Sequence, residues 1–333
     1  MPPTRFPILI ASFSILVAAG LLGIVCAVAA TPPAAAQTRE KGPWWPHPIW
    51  GPEDQAGGSN WITPDKVLEA VSLVKTGKLY ELGHVYERGM PLIGKRTFAM
   101  LIPSSPTYGP FGEARIVFND EFLCAEIGQV GTQFDGPGHV GKRMTMADGS
   151  TTDVYYNGVP SSEMHDPYGL ARLGVEKVKP FITRGLLVDV AGYKEVETLP
   201  SGYEVTLADV RGSLSRQRMT ESDIKPGDAL LFNFGWWRLW PDPARVNAPG
   251  PGVGREVAAW IVERKVSMVG SDATTDVAMA VHEEATLKNG IFNLEWMRFE
   301  ELLADRVHEF LFVFTPLRLK GATGSPGRPL AIR

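Results

Sequence analysis

The clearest periodicity in the chain lies just after residue 62. Val67, Ala70, Val71 and Val74 recur at helical spacing behind Thr63 and Pro64, and Gly77 follows. A threonine N-cap, a proline in the first turn and a closing glycine predict a helix from 64 to 77. Beyond it the pattern changes to short apolar runs bounded by turn residues, at 79–84, 115–118, 185–190, 229–234, 266–269 and 310–319. Helical patterns separate some of them, at 206–214, 253–264 and 296–304. Strands alternating with helices predict an α/β protein, and the strand-rich early half predicts a mixed rather than all-parallel sheet.

The first 62 residues follow neither period. Arg5 precedes an uncharged stretch that includes an apolar run over 8–30 and ends in Ala34-Ala35-Ala36. That order is the charged, apolar and small-residue succession of a secretory signal, with cleavage expected after Ala36. The apolar run is also long enough to span a bilayer, so an uncleaved anchor is the alternative. A lipoprotein signal at Cys26 fits less well, because bulky Val25 precedes it. The segment 37–62, with Trp44, Trp45, Trp50 and Trp61 among prolines and glycines, reads as an arm packed by its aromatics. The expected organisation is a signal over 1–36, an arm over 37–62 and one catalytic domain over 63–333, in a periplasmic or secreted protein with no membrane span after cleavage.

Hydrophobic content of 44% and charged content of 21% are ordinary for a folded chain. A net charge of −4 with mixed signs offers no stripe for a phosphate backbone, so no nucleic-acid partner is expected. Removal of the signal leaves only Cys124, which excludes an intramolecular disulfide and reads as a buried small hydrophobe.

Several motifs fail on inspection. His282-Glu283-Glu284 lacks the second histidine of a zincin, because Thr286 stands there. The glycines at 250, 252 and 254 follow a loop rather than the strand a dinucleotide-binding turn needs. No G-x-S-x-G elbow occurs, and Cys124 has no activating neighbour in sequence.

One stretch survives: GQVGTQFDGPGHVG over 128–141. If 133–135 is extended, Gln133 and Asp135 share a face, and Gln129 joins them if Gly131 bends the chain. Three oxygen donors on one face suit a metal ion, with Asp135 supplying charge. His139, beyond the Gly136-Pro137-Gly138 turn, can lean over them as a proton carrier.

This stretch resembles the H-x-G-T-H-x-D-x-P-x-H signature of the cyclase family that includes bacterial kynurenine formamidase and isatin hydrolase. Gly131, Thr132, Asp135, Pro137 and His139 match, while Gln129 and Gln133 stand where the family has histidines. The early WGPEDQ and NWITP at 50–55 and 60–64 are similar to the opening of longer members. Pro226-Gly227-Asp228, Gly270-Ser271-Asp272, and His282 followed by GIFNLE at 290–295 are similar to later landmarks.

The resemblance implies a swivelling β/β/α fold and a metal-dependent hydrolase acting on an amide, formamide or lactam. It also implies a homo-oligomer and a small-molecule substrate, which the many aromatics would allow to be aromatic. Carried over, the metal falls to Asp135, His282 and Glu295, with Gln129 and Gln133 in the places of the histidines, and acid/base work falls to His139. Glutamine oxygens make the set oxygen-rich, which favours Mn²⁺ over Zn²⁺. His282 reads equally well as a helix-capping residue, whereas Glu295 inside apolar NLEWM needs a partner for its charge.

Asp272, at the end of an apolar run, is placed no nearer than behind the ligands, and it could cap the next segment instead. His47, His84, His165 and His308 are read as surface or structural. Arg328, in the glycine- and proline-rich stretch 321–329, could meet an anion or sit in a plain turn. A different class of protein also fits: a non-catalytic binder on the same fold, with the metal site degraded through its two glutamines.

Overall fold

A nine-stranded mixed sheet runs through the protein, and its centre is four parallel strands, Phe181–Asp189, Ala229–Asn233, Met268–Ser271 and Phe292–Glu295. The computed structural model describes residues 41–333, so the expected signal, its cleavage site and Cys26 lie outside the described residues. Antiparallel strands extend both edges. Glu309–Phe314, Leu330–Ile332 and Leu79–Glu81 follow Phe181–Asp189 on one side, while Gln133–Asp135 and Gly324–Pro326 follow Phe292–Glu295 on the other.

Alternation along the parallel strands divides the apolar residues between two faces. Leu186, Val188, Leu230, Phe232 and Val269 pack beneath the helices Leu207–Arg216 and Arg255–Arg264, which contribute Val210, Leu214, Val257 and Ile261. Leu187, Leu231 and Met268 face the other way, into a layer with Phe134, Phe181, Phe292, Phe310, Phe312 and Phe314. The expected mixed α/β architecture is the one observed.

Local caps explain where helices start. Thr63 Oγ1 accepts from Lys66 N, and Thr206 and Asp209 form a reciprocal capping box. The first helix stops at Val71, short of the expected 77, because turns carry the chain to Gly77, which has a φ of +73°. The expected helix over 296–304 is only Glu300–Ala304, because the preceding residues leave the sheet through Trp296, which has a positive φ.

The arm is ordered by polar anchors as well as by aromatics. Asn157 accepts from His47 N (2.8 Å) and donates to Gly51 O (2.8 Å) and Asp54 O (3.1 Å). Asp54 in turn accepts from the Tyr156 hydroxyl at 2.8 Å. Trp44 and Trp45 meet edge to face, as do Trp50 and Trp61. The described residues, 41–333, form one compact unit.

The run at 115–118 does not join the main sheet. Ile116–Phe118 pairs with Tyr108–Phe111, and Phe98–Leu101 pairs with Phe122–Ala125, in a two-stranded ribbon between Arg96 and Gln129. Its large apolar side chains are exposed, among them Met100, Phe111, Phe118 and Phe122. Cys124 lies on this ribbon and is exposed, contrary to the expectation of a buried thiol, because among the described residues no second layer covers the strand pair. Among the described residues no helix is long and apolar enough to cross a membrane.

One buried ion cluster ties the first helix to the sheet. Asp228, fully buried, accepts from Lys66 Nζ at 2.5 Å and from Arg184 Nε and Nη2 at 3.1 and 2.5 Å. Removing the shared anion leaves Lys66 with only Glu69 and Arg184 with only Glu309, both more exposed partners, so Asp228→Ala is expected to cost about 3 kcal/mol in a denaturant titration. A loss below about 1 kcal/mol would show that the cluster does not hold the helix in place.

Candidate active site

The pairing of Gln133–Asp135 with Phe292–Glu295 builds the site. Asp135 lies opposite Asn293 and Gln133 opposite Glu295, while Phe134 and Leu294 point into the aromatic layer. Strand alternation thus brings two carboxylates and two amides onto one face, at the carboxyl end of the parallel strands where α/β sheets open. Gly324–Pro326 pairs with the other edge of Gln133–Asp135, so the short strand is held from both sides.

Gly131 delivers Gln129 to the same face. Its φ of +63° turns the chain, and a Cβ there would meet the Tyr86 ring at 2.7 Å. The Tyr86 hydroxyl donates to Thr132 O, and Thr132 Oγ1 donates to Trp296 O at 2.7 Å, which fixes the bend against the far strand. Beyond Asp135, His139 N closes onto Gly136 O at 3.1 Å, and this turn carries the His139 ring back over the carboxylate.

The resulting cluster is dense. Asp135 Oδ1 faces Gln129 Nε2 at 3.3 Å and His139 Nε2 at 3.6 Å. Asp135 Oδ2 accepts from Asn293 Nδ2 at 3.0 Å and faces His282 Nε2 at 3.5 Å. Glu295 accepts from Gln133 Nε2 (3.1 Å), Asn293 Nδ2 (2.9 Å) and Thr275 N (3.2 Å). One ligand atom each from Asp135, His282 and Glu295 lie within 4.8 Å of one another.

His282 stands on a π-helical stretch, Val281–Leu287, a geometry often found at functional sites. The approach to it is strained, since Ala278 and Met279 both have positive φ. Asp276 holds the approach together. Its Oδ2 accepts from Val281 N (2.6 Å) and His282 N (3.0 Å), and lies 3.0 Å from His282 Nδ1. With Nδ1 directed at Asp276, Nε2 is left facing Asp135 and Glu295.

Burial and mutual charge set the protonation pattern. Burial raises the pKa of Glu295 and the charge of Asp135 raises it further, to about 7. Burial also acts to raise Asp135, but His139 and His282 outweigh it and hold Asp135 at about 2. For His282, burial acts to lower the pKa, and the contacts with Asp135 and Asp276 overcome it and lift the ring to about 11. Asp276 at 3.0 Å is the firmer partner of the two, since 3.5 Å is long for a hydrogen bond. Two adjacent buried acids therefore keep a positive charge beside them.

A cavity of ≈ 520 Å³ opens onto the cluster, lined by His139, His282, Gln133, Asp276 and Glu295 on its polar side and by Ile93, Val140, Met279 and Trp296 on its apolar side. Arg96 also lines it, donating to Gln133 Oε1 and Gln129 Oε1, each at 3.4 Å.

All six residues expected at the reacting centre, Gln129, Gln133, Asp135, His139, His282 and Glu295, come together here. Asp272 does not reach the cluster: its carboxylate accepts from Phe234 N (2.7 Å) and Trp237 N (3.2 Å), capping the turn after Ala229–Asn233, and burial raises its pKa to about 7. Arg328 pairs with Glu81 instead of an anion site. His84 stacks on Trp240 at 4.1 Å, and burial lowers its pKa to about 3.

Sequence reasoning missed Arg96, Asp276 and Asn293. Asn293 carried a signal, being two residues before Glu295 in an apolar run, whereas nothing local marked Arg96.

The site and sheet define a mixed α/β protein with a carboxylate-rich pocket at a strand terminus. The chain belongs to the cyclase family: residues 80–276 match the family described as "Putative cyclase". The crystal structure of a novel cyclase is 30% identical, with a TM-score of 0.74 over 85% of this chain and 98% of that one. Isatin hydrolase A from Ralstonia solanacearum is 18% identical (TM-score 0.53, covering 77% of this chain and 92% of that one). Isatin hydrolase A from Labrenzia aggregata, bound to benzyl benzoate, is also 18% identical (TM-score 0.52, covering 80% and 97%). At that identity the likeness to the isatin hydrolases is one of fold. No curated protein sequence matches the chain.

Gly131 makes the first test of how the site is held. Gly131→Ala puts a Cβ against Tyr86 at a positive φ, and is expected to lower stability by about 1–3 kcal/mol. Thermal unfolding of the variant checks this, and an unchanged midpoint would mean the bend is not under steric control.

Proposed function

We propose that the protein is an exported metal-dependent hydrolase that cleaves a C–N bond in an amide, formamide or lactam. The observation that carries this reading is the convergence of Asp135, His282 and Glu295 within 4.8 Å beside the cavity, with His139 3.6 Å from Asp135. The donors fit a divalent ion. Two buried carboxylates and an imidazole supply charge and geometry, and Asn293 Oδ1 is a buried acceptor without a partner among the described residues. The glutamines have their amide nitrogens toward the carboxylates and their oxygens toward Arg96, so each would ligate only after its amide turns over. An oxygen-rich set of this kind favours Mn²⁺ over Zn²⁺.

When bound, the ion would act as a Lewis acid and lower the pKa of a water. The chain's own residues do the rest. Asp276 fixes the His282 ring so that Nε2 faces the two carboxylates. Asn293 Nδ2 bridges Asp135 and Glu295 and keeps them in register. His139, partly exposed to the cavity, can carry a proton to the leaving nitrogen. Ile93, Met279 and Trp296 provide an apolar wall for a flat or aromatic body and limit water.

One observation favours a second reading. The amide nitrogens of Gln129, Gln133 and Asn293 already satisfy both carboxylates, as they would in a pocket that binds ligand without chemistry.

Elemental analysis after loading with Mn²⁺ separates the two. About one ion per chain is expected, lost in Asp135→Ala and kept in His139→Asn. Hydrolysis of aromatic formamides by His139→Asn is expected to fall about 10²- to 10⁴-fold. No bound metal after Mn²⁺ is supplied would sink the hydrolase mechanism, and tight saturation with zinc on isolation would remove the preference for manganese.

A further inference from the structure

We propose that Arg96 is a substrate-recognition residue and that the substrate carries a carboxylate, which Arg96 takes up at the mouth of the cavity. The inference rests on the hydrolase reading for the chemistry at the other end of the substrate, and on Arg96 itself for the anionic group.

The guanidinium stands half-buried in the cavity wall, where the Glu126 carboxylate feels its charge without forming a close ion pair with it. Its two hydrogen bonds go to neutral amide oxygens at 3.4 Å, near the limit of a useful bond. Five N–H donors are available, so most are unused. The acid beside it at the base of the ribbon, Glu126, gives its carboxylate to Thr97 N (2.6 Å) and Thr97 Oγ1 (3.0 Å). Arg96 makes no ion pair with a carboxylate among the described residues, whereas buried Arg184 is matched to Asp228 and exposed Arg328 to Glu81.

The two glutamine oxygens hold the guanidinium fork without neutralising it. A planar, bidentate anion would complete it, and a carboxylate has that shape. The deep end of the same cavity is acidic, with Asp276 and Glu295 in its lining and Asp135 behind them. With no ion bound, these three carboxylates outnumber the one His282 cation, so an anionic group is disfavoured there and attracted to Arg96. This polarity places a bifunctional ligand in one direction: carboxylate at Arg96, apolar body against Ile93, Met279 and Trp296, and reacting bond toward His139.

Benzoate and its neutral isostere benzamide are suitable calorimetric probes, titrated into the full chain with and without Mn²⁺. Wild type is expected to bind benzoate at least about tenfold more tightly than benzamide, a factor within reach of one charge-assisted pair. Arg96→Met is expected to lose that preference while keeping its affinity for benzamide and its metal content. Arg96→Lys, which keeps the charge but not the fork, should recover only part of it.

Equal binding of the two probes by wild type, failure of benzoate to bind, or a preference that survives in Arg96→Met would each overturn the proposal. A surviving preference that disappears when Mn²⁺ is removed would assign the anion to the ion instead. If no metal binds and nothing is hydrolysed, the hydrolase reading falls and the benzoate preference still stands or fails separately.

Discussion

Two carboxylates, Asp135 and Glu295, are buried on neighbouring antiparallel strands, and the arrangement around them answers that cost. An isolated buried carboxylate is expensive in free energy, and a second one beside it is more so. Asn293 bridges the pair, Gln129 and Gln133 each donate to one member, and His282 brings a positive charge that Asp276 supports from behind. The π-helical stretch and the positive φ angles at 278–279 are the backbone's share of the same problem, and Asp276 gathers the first N–H groups of that stretch as a capping carboxylate does at a helix start.

The sheet makes this clustering possible. Four parallel strands end together, and an antiparallel strand laid along the last of them places its alternate side chains on the same face. Phe134 and Leu294, pointing the other way, lock that register into the aromatic layer, because a slip of one residue would bury Gln133 and Asp135 among phenylalanines. Packing on one face thus enforces chemistry on the other.

The substitution of two histidines by glutamines alters more than a ligand count. Each amide presents its nitrogen to a carboxylate and its oxygen to Arg96. Each amide stands between one carboxylate and the guanidinium, so a cation and acids share the lining of one pocket. Such a pocket orients a ligand before any reaction begins.

Much of this was legible in the chain. The capped helix at 64, the alternating strands and helices, the glycine bend at 131 and the grouping of Gln129, Gln133, Asp135 and His139 follow from local spacing, because a strand's alternation and a turn's φ demands are properties of adjacent residues. Cys124 was misread for the complementary reason: an apolar run does not reveal whether a second layer covers it. Arg96, Asp276 and Asn293 were decided by tertiary structure. Gln133 meets Glu295 across 162 residues and Arg96 meets Gln133 across 37, contacts set by strand register and by how the ribbon folds back. Local sequence encodes which groups a segment offers, whereas which distant groups they meet depends on the packing of the whole sheet.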